Sequence, residues 1–173
     1  MKTLLLMRHA KSSWKDHDLE DIDRPLSKRG RHDAPEMGAL LKTQKITPQL
    51  ILASNAKRAA KTAGLVADEL KFDEDQILIR ETLYLAEIEQ LINEINLIPN
   101  EVETALLIAH NPGLEALAQL LTDKVISMPT SCVAHLQLPV KSWSEVSQDT
   151  EADLVELYRP TKQKDKKEKK DKK

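Results

Sequence analysis

Cysteine and aromatic residues are scarce in this chain of 173 residues. Its one cysteine, Cys132, excludes a disulfide within the chain and is typical of a protein from a reducing compartment. Because aromatic residues make up only 3% of the sequence, the core has to be built from leucine, isoleucine, valine and alanine. The apolar run after Lys2 is too short for a signal peptide or a membrane span. We therefore expect a cytoplasmic protein without a membrane-spanning segment.

Several signatures of phosphate and metal chemistry are also absent. The sequence has neither a Gly-x-x-x-x-Gly-Lys loop nor a Gly-x-Gly-x-x-Gly loop, so nucleotide binding by these routes is unsupported. It has no cysteine followed by five residues and arginine, which excludes a cysteine phosphatase of that type. The acidic residues near the predicted strand ends do not form a cluster suited to Mg²⁺. We therefore expect neither a metal nor a cofactor.

The charge of the chain is distributed unevenly. The net charge is −2, but residues 161–173 carry eight lysines and three acidic residues, whereas residues 1–160 carry 18 basic and 25 acidic ones. The acidic body does not favour nucleic-acid binding as the main activity. The tail 161–173 has no apolar residue to pack and is predicted to be disordered.

Short apolar runs alternate with segments of helical spacing along the chain. We predict strands at 3–7, 50–53, 76–79 and 104–109, helices at 31–42, 56–70, 88–97 and 111–121, and two alternating strands at 132–138 and 153–158. Ser27 is the predicted N-cap of the first helix. This order predicts one α/β domain over residues 1–160, with three α/β/α layers around a mostly parallel sheet of about six strands. The last two strands are expected to be edge strands, one or both of them antiparallel.

Polar side chains follow four of the predicted strands. Arg8 and His9 end the first strand, and Arg58 lies in the first turn of the helix after the second. Glu81 follows the third strand and His110 the fourth. Open α/β sheets bind ligands at the carboxyl edge of their strands, so these side chains are expected to share one site. Two arginines, two histidines and nearby helix N-termini are typical of a site for a tetrahedral oxyanion, and we expect this anion to be phosphate.

Histidine is the nucleophile that remains for phosphoryl transfer in such a site, because a metal, an activated cysteine and an activated serine are not indicated. Its imidazole has an unperturbed pKa of about 6.5, so the neutral form is available near neutral pH. A covalent phosphohistidine would divide the transfer into two easier steps.

Three segments of the chain carry a family resemblance. They are residues 6–10 (Leu-Met-Arg-His-Ala), 54–63 (Ser-Asn-Ala-Lys-Arg-Ala-Ala-Lys-Thr-Ala) and 109–112 (Ala-His-Asn-Pro). Together they resemble the signatures of the histidine phosphatase superfamily, the family with the Arg-His-Gly motif that includes phosphoglycerate mutase. Residues 23–30 (Asp-Arg-Pro-Leu-Ser-Lys-Arg-Gly) and the short length resemble its SixA-type phosphohistidine phosphatase branch. Ala10 departs from the family pattern, because it replaces the usual glycine.

The resemblance implies a role for each candidate residue. His9 is the residue that would be phosphorylated. The rest of the phosphate site would come from three further side chains, Arg8, Arg58 and His110. Glu81 matches the position of a proton donor in mutase-type relatives, and Ser12 matches a serine near the phosphate.

The resemblance also implies the substrate class. The chain lacks the long insertion that covers the site of the mutases, and an open site suits a phosphohistidine carried by a partner protein. Imidazole is a better leaving group than the alkoxide of a phosphoester, which needs a good general acid. A phosphatase for small phosphoesters remains an alternative, as does a binding module for phosphate or phosphohistidine without turnover. Metal binding by His9 and His110 is disfavoured, since the neighbouring arginines would repel a cation. The sequence gives no indication of the oligomeric state.

Overall fold

The computed structural model describes residues 1–162, which form one six-stranded sheet with helices on both faces. The predicted disordered tail falls almost entirely outside the described residues. The strands are β1 (Lys2–Arg8), β2 (Leu50–Ser54), β3 (Ile77–Arg80), β4 (Thr104–Ala109), β5 (Val133–Leu138) and β6 (Asp153–Tyr158). The helices are α1 (Lys28–Thr43), α2 (Lys57–Leu70), α3 (Ile88–Asn96) and α4 (Gly113–Thr122).

The strands lie in the order β3-β2-β4-β1-β5-β6. The first four along the chain are mutually parallel, whereas β5 is antiparallel to β1 and β6 is antiparallel to β5. The prediction of a mostly parallel α/β sheet is confirmed. The edge position predicted for the last two strands holds for β6 alone, because β5 pairs on both sides and lies inside the sheet.

Two hydrophobic clusters cover the two faces of the sheet and confirm the three-layer arrangement. Side chains alternate between the faces of β1, so Leu4 and Leu6 belong to one cluster and Leu5 and Met7 to the other. Apolar side chains of α3 and α4 complete the first cluster, and those of α1 and α2 complete the second. β1 is therefore buried on both faces, as is usual for a strand in the middle of a parallel sheet.

The start of α1 shows how a polar residue sets a helix boundary. Ser27 is the N-cap, as predicted, and its side-chain oxygen accepts a hydrogen bond from the Gly30 amide at 3.1 Å. The helix begins directly after this cap, three residues before the predicted start at 31. Among residues 1–162, no helix combines the length and the apolar character needed to cross a membrane.

Candidate active site

The pairing of β1 with β4 brings the two candidate histidines together. Arg8 is aligned with Ala109 in this parallel pair, so the next residues, His9 and His110, leave the sheet side by side. Their ring centroids are 5.0 Å apart. Both rings are buried. The shared site predicted at the carboxyl edge of the sheet is therefore present as a geometric arrangement.

Arg58 joins the two histidines from the first turn of α2. Its Nε donates to Nε2 of His9 at 3.3 Å, and its Nη2 lies 3.4 Å from Nδ1 of His110. The guanidinium is buried, with both rings within hydrogen-bond distance. A helix-borne arginine is thus held against the face on which an anion would be bound.

The hydrogen bonds of His9 assign its tautomer. Nδ1 lies 2.8 Å from the backbone oxygen of Ala10, which can only accept, so Nδ1 carries the proton. Nε2 accepts from Arg58 and therefore keeps its lone pair. The unprotonated nitrogen thus lies on the side of the arginine, and an unprotonated nitrogen is what a nucleophilic imidazole requires.

His110 is oriented by the end of β2. Its Nε2 lies 2.8 Å from the hydroxyl oxygen of Ser54, while its Nδ1 faces Arg58. Because the guanidinium can only donate, Nδ1 is the accepting nitrogen and Nε2 carries the proton. Ser54 also accepts from the Ala56 amide at 3.2 Å, so the serine is itself fixed.

These residues line a cavity of about 320 Å³ at the carboxyl edge of the sheet. Its lining includes four of the predicted site residues besides Arg58, namely Arg8, His9, Ser12 and His110. The other lining residues are Lys11, Trp14, Asp21, Arg24, Leu85, Asn111 and Thr130. The side chains of Trp14 and Leu85 are 63% and 54% exposed, so the cavity opens to the surface between apolar residues.

Arg8 supplies a second guanidinium to the cavity. Its Nη1 donates to the backbone oxygen of Met128 at 3.3 Å. Its Nε is buried and has no hydrogen-bond partner among residues 1–162. A buried donor without a partner beside the cavity fits a site that accepts an anion.

Glu81 is the predicted site residue that the structure does not bring to the cavity. β3 ends at Arg80, and Glu81 begins a short 3-10 helix, Glu81–Leu83, in which its side chain is exposed. It does not line the cavity. Its position gives no support to the predicted role of proton donor.

Sequence reasoning missed Asp21, the one acidic side chain among the residues that line the cavity. Asp21 begins the 3-10 helix Asp21–Asp23, and its carboxylate lies 3.0 Å from Nη2 of Arg58 and 3.1 Å from Nε of Arg24. The hydroxyl of Tyr84 also donates to it. Burial opposes ionisation, but hydrogen bonds from Tyr84 and Arg58 outweigh it and lower the pKa of Asp21 to about 2.

Ser12 is held by another residue that the sequence did not single out. Nη1 of Arg24 donates to the Ser12 hydroxyl oxygen at 2.6 Å. The indole of Trp14 lies over the same guanidinium, 3.4 Å from ring centroid to Cζ. The only signal for Arg24 in the sequence was its place in the segment 23–30, since the stretch 11–25 has no periodicity.

The described residues contain one group of side chains spaced to hold a metal ion, and it lies elsewhere. It consists of His32, Asp33 and Glu36 on α1, none of which lines the cavity. Asp33 is buried and already paired with Arg29 at 3.3 Å. The cavity at the carboxyl edge of the sheet instead presents the cationic and neutral donors of its arginines and histidines, which suit an anion.

Both cavity histidines are held in the neutral form. Burial, reinforced by the charge of neighbouring arginines, lowers the pKa of His9 to about 4. Burial and the adjacent His9 ring lower the pKa of His110 to about 3. Near neutral pH, the His9 ring is therefore neutral, and small changes of pH do not alter that state.

We expect the His9 ring to titrate with a midpoint near pH 4 when its ring proton signals are followed by NMR. It should stay neutral as the pH falls through 6.5, the ordinary range of histidine, and take up a proton only near its own lowered pKa. The His9→Gln variant identifies the signal by its loss. Inorganic phosphate should raise the midpoint, because a bound anion favours the imidazolium. A midpoint near 6.5 without phosphate would contradict the burial argument.

Comparison with known proteins places the chain in a family. The profile of the histidine phosphatase superfamily (branch 1) matches residues 4–90, which include Arg8, His9 and Arg58. An uncharacterised chloroplastic protein of Arabidopsis thaliana is 35% identical over 152 residues, covering 83% of this chain and 70% of the relative. The chain belongs to the histidine phosphatase superfamily, and this membership supports phosphatase activity.

Solved structures of SixA proteins share the fold. The proposed phosphohistidine phosphatase SixA of Nakamurella multipartitia superimposes with a TM-score of 0.82 at 22% identity, covering 93% of this chain and 97% of that one. The protein histidine phosphatase SixA in complex with tungstate gives a TM-score of 0.76 at 23% identity, covering 90% and 95%. The architecture is thus that of the SixA-like, phosphoglycerate-mutase-like α/β proteins.

Proposed function

We propose that the protein is a metal-independent phosphatase that removes phosphate from phosphohistidine on a partner protein and forms a phosphohistidine on His9. The proposal rests on one combination of features in the cavity. Nε2 of His9 is unprotonated and can act as the nucleophile, and no protonated carboxylic acid lies among the lining residues. Asp21, the one carboxylate among its lining residues, is held ionised by Tyr84 and Arg58. The cavity therefore suits a substrate whose leaving group departs without a proton from a carboxyl group.

Phosphohistidine meets that requirement. In the first step, Nε2 of His9 forms a bond to phosphorus while the bond from phosphorus to the substrate imidazole breaks. The leaving nitrogen keeps the electron pair, and when the other ring nitrogen already carries a proton, imidazole departs as a neutral molecule. An alkyl phosphoester would depart as an alkoxide, which needs a general acid.

The contacts of His9 also suit the intermediate. Phosphorylation of Nε2 leaves the proton on Nδ1, and the ring becomes an imidazolium whose N–H still donates to the Ala10 oxygen. In the second step, water attacks phosphorus, His9 leaves as the neutral ring in its starting tautomer, and inorganic phosphate takes up the remaining proton of the water. The backbone contact is thus preserved throughout the cycle.

The cationic side chains suit the transferred group. Arg58 and Arg8 border the cavity and would neutralise charge on the phosphoryl oxygens, which is the main task of a protein in phosphoryl transfer. An anion next to His110 would raise the pKa of its ring and allow Nδ1 to donate to a phosphoryl oxygen. Tungstate, bound by the SixA of similar fold, is a tetrahedral oxyanion like phosphate.

We expect the purified protein to release phosphate from a histidine-phosphorylated carrier protein at a rate that EDTA does not change. Alkyl phosphates should react about 10² to 10⁴ times more slowly, the usual contribution of general acid catalysis. Phosphate release in parallel assays measures both rates. The Glu81→Gln variant should keep the wild-type rate on phosphohistidine, because Glu81 is exposed outside the cavity.

Two other outcomes would overturn the proposal in different ways. Faster turnover of alkyl phosphates than of phosphohistidine, lost in Glu81→Gln, would indicate a phosphatase for small phosphoesters with Glu81 as proton donor. Binding of phosphate without turnover of either substrate would indicate a binding module.

A further inference from the structure

A second cavity, of about 500 Å³, lies directly beside the catalytic cavity. Leu85 lines both, and the chain that follows His110 and Asn111 of the catalytic cavity continues into the second one with Pro112 and Gly113. Its apolar lining also includes Ile88 and Ala116. We call this cavity the Leu85 groove.

The backbone of the Leu85 groove holds an apolar side chain in an exposed position. Leu85 has a φ of 49°, in the left-handed region that a leucine rarely adopts, and its side chain is 54% exposed. Gly113 packs so closely on the neighbouring segment that a Cβ there would lie 2.0 Å from the backbone oxygen of Ala86. A strained backbone conformation such as that of Leu85 persists only where the surrounding structure imposes it, and such conformations are concentrated at functional sites.

The surface around the groove combines apolar and acidic side chains. Leu120 lies one turn beyond Ala116 on α4 and is 38% exposed, so the apolar surface continues along that helix. Glu87 and Glu89 line the groove from the start of α3 and are exposed. The groove is therefore apolar with an acidic rim, in contrast to the cationic catalytic cavity.

We propose that the Leu85 groove binds the segment of the partner protein that adjoins the phosphohistidine, and that this segment carries a large apolar side chain beside a lysine or arginine. The proposal rests on the proposed function. The catalytic cavity, at about 320 Å³, has room for a phosphoryl group and an imidazole, so the rest of the partner must lie on the surrounding surface. The groove is the apolar surface continuous with that cavity through Leu85, and its glutamates complement a basic residue.

Another apolar depression provides a matched control. It is lined by Pro25, Leu26 and Ala60 together with three basic side chains, Arg31, Lys57 and Lys61. It shares no lining residue with the catalytic cavity. Ala60 and Ala116 are both half-buried alanines on helices, so the same substitution can be made at either position.

The test compares two peptides phosphorylated on a central histidine. One has leucine and arginine on both sides of the histidine, and the other has alanine and glutamate at the same positions. We expect the wild-type protein to have about tenfold higher kcat/KM on the first peptide, the effect of burying one large apolar side chain. Ala116→Trp, which fills the groove, should abolish this preference and leave the rate on free N-phosphohistidine unchanged. Ala60→Trp should leave the preference intact.

A charge reversal supplies an independent measurement. Glu89→Lys should raise KM for the leucine and arginine peptide and leave kcat and the rate on free N-phosphohistidine unchanged. If Ala116→Trp damages the fold and lowers every rate, this second variant decides. An unchanged preference in Glu89→Lys and in a folded Ala116→Trp, or a preference lost in Ala60→Trp instead, would overturn the docking proposal. A wild-type protein inactive on all phosphohistidine substrates would overturn the proposed function itself.

Discussion

Replacing His9 with alanine is expected to lower phosphate release from phosphohistidine by at least about 10³-fold, the scale of loss when a nucleophile is removed. Nε2 of His9 is the unprotonated nitrogen that faces Arg58, and its lowered pKa keeps it in that form. In the other cavity histidine, Nε2 carries the proton and is directed at the Ser54 hydroxyl, so this nitrogen has no lone pair for attack. The measurement is single-turnover release from a substrate labelled with radioactive phosphate.

The same labelled substrate tests the covalent step. Wild-type protein quenched during turnover should carry an acid-labile label, and His9→Ala should carry none. His135→Gln is a suitable control, because His135 is a partly buried histidine on β5 that does not line the cavity. It should be labelled like the wild type. A label that persists in His9→Ala would place the nucleophile elsewhere.

Replacing Arg58 with alanine is the second substitution with a large expected effect, a loss of about 10² to 10³ in kcat/KM, as for removal of one preorganised donor to a transition-state anion. Its guanidinium contacts His9, His110 and Asp21 at once. Arg58→Lys should lose nearly as much activity. A single ammonium cannot reproduce the planar set of donors that reaches all three partners. Steady-state rates and the affinity for vanadate, a phosphate analogue, measure the loss.

Lys57→Ala provides the control for that substitution. Lys57 is the preceding residue of α2 and is exposed outside the catalytic cavity, so its removal changes the net charge by the same amount without touching the site. We expect it to keep the activity within about twofold, as for a surface charge screened by salt. Wild-type activity in Arg58→Lys would show that a single positive charge is enough for catalysis, and that the planar arrangement of the guanidinium donors has no role.

The parts of the site that the sequence predicts are those placed by strand ends. His9 and His110 each follow an apolar run, and parallel neighbours bring such ends to one edge of the sheet. Arg58 follows by the same logic, since it lies in the first turn of the helix after β2. The α/β class and the four parallel strands follow from the alternation of apolar runs and helical segments. These features depend on local patterns, which a single sequence records.

The parts that the sequence does not predict depend on contacts between distant segments. Asp21 contacts Arg58, which lies 37 positions later in the sequence, and Tyr84, which lies 63 positions later. It also lies in a polar stretch without periodicity. The place of Glu81 after a strand predicts that it belongs to the site, but the chain turns into a 3-10 helix there and exposes the side chain. The interior position of β5 was missed for a similar reason. Alternation indicates a strand but not how many neighbours it has.

The position of β1 and β4 in the sheet has a consequence for how activity is lost. They are the two central strands, each paired on both sides, and β1 is buried on both faces. Backbone amides of such strands exchange their hydrogens with solvent only in openings whose free energy approaches that of global unfolding. Edge strands open locally at a much lower free energy. Fraying of β3 or β6 would therefore leave His9 and His110 in register. The arrangement of these two histidines should persist until the whole sheet unfolds, so that loss of activity on heating is expected to coincide with global unfolding.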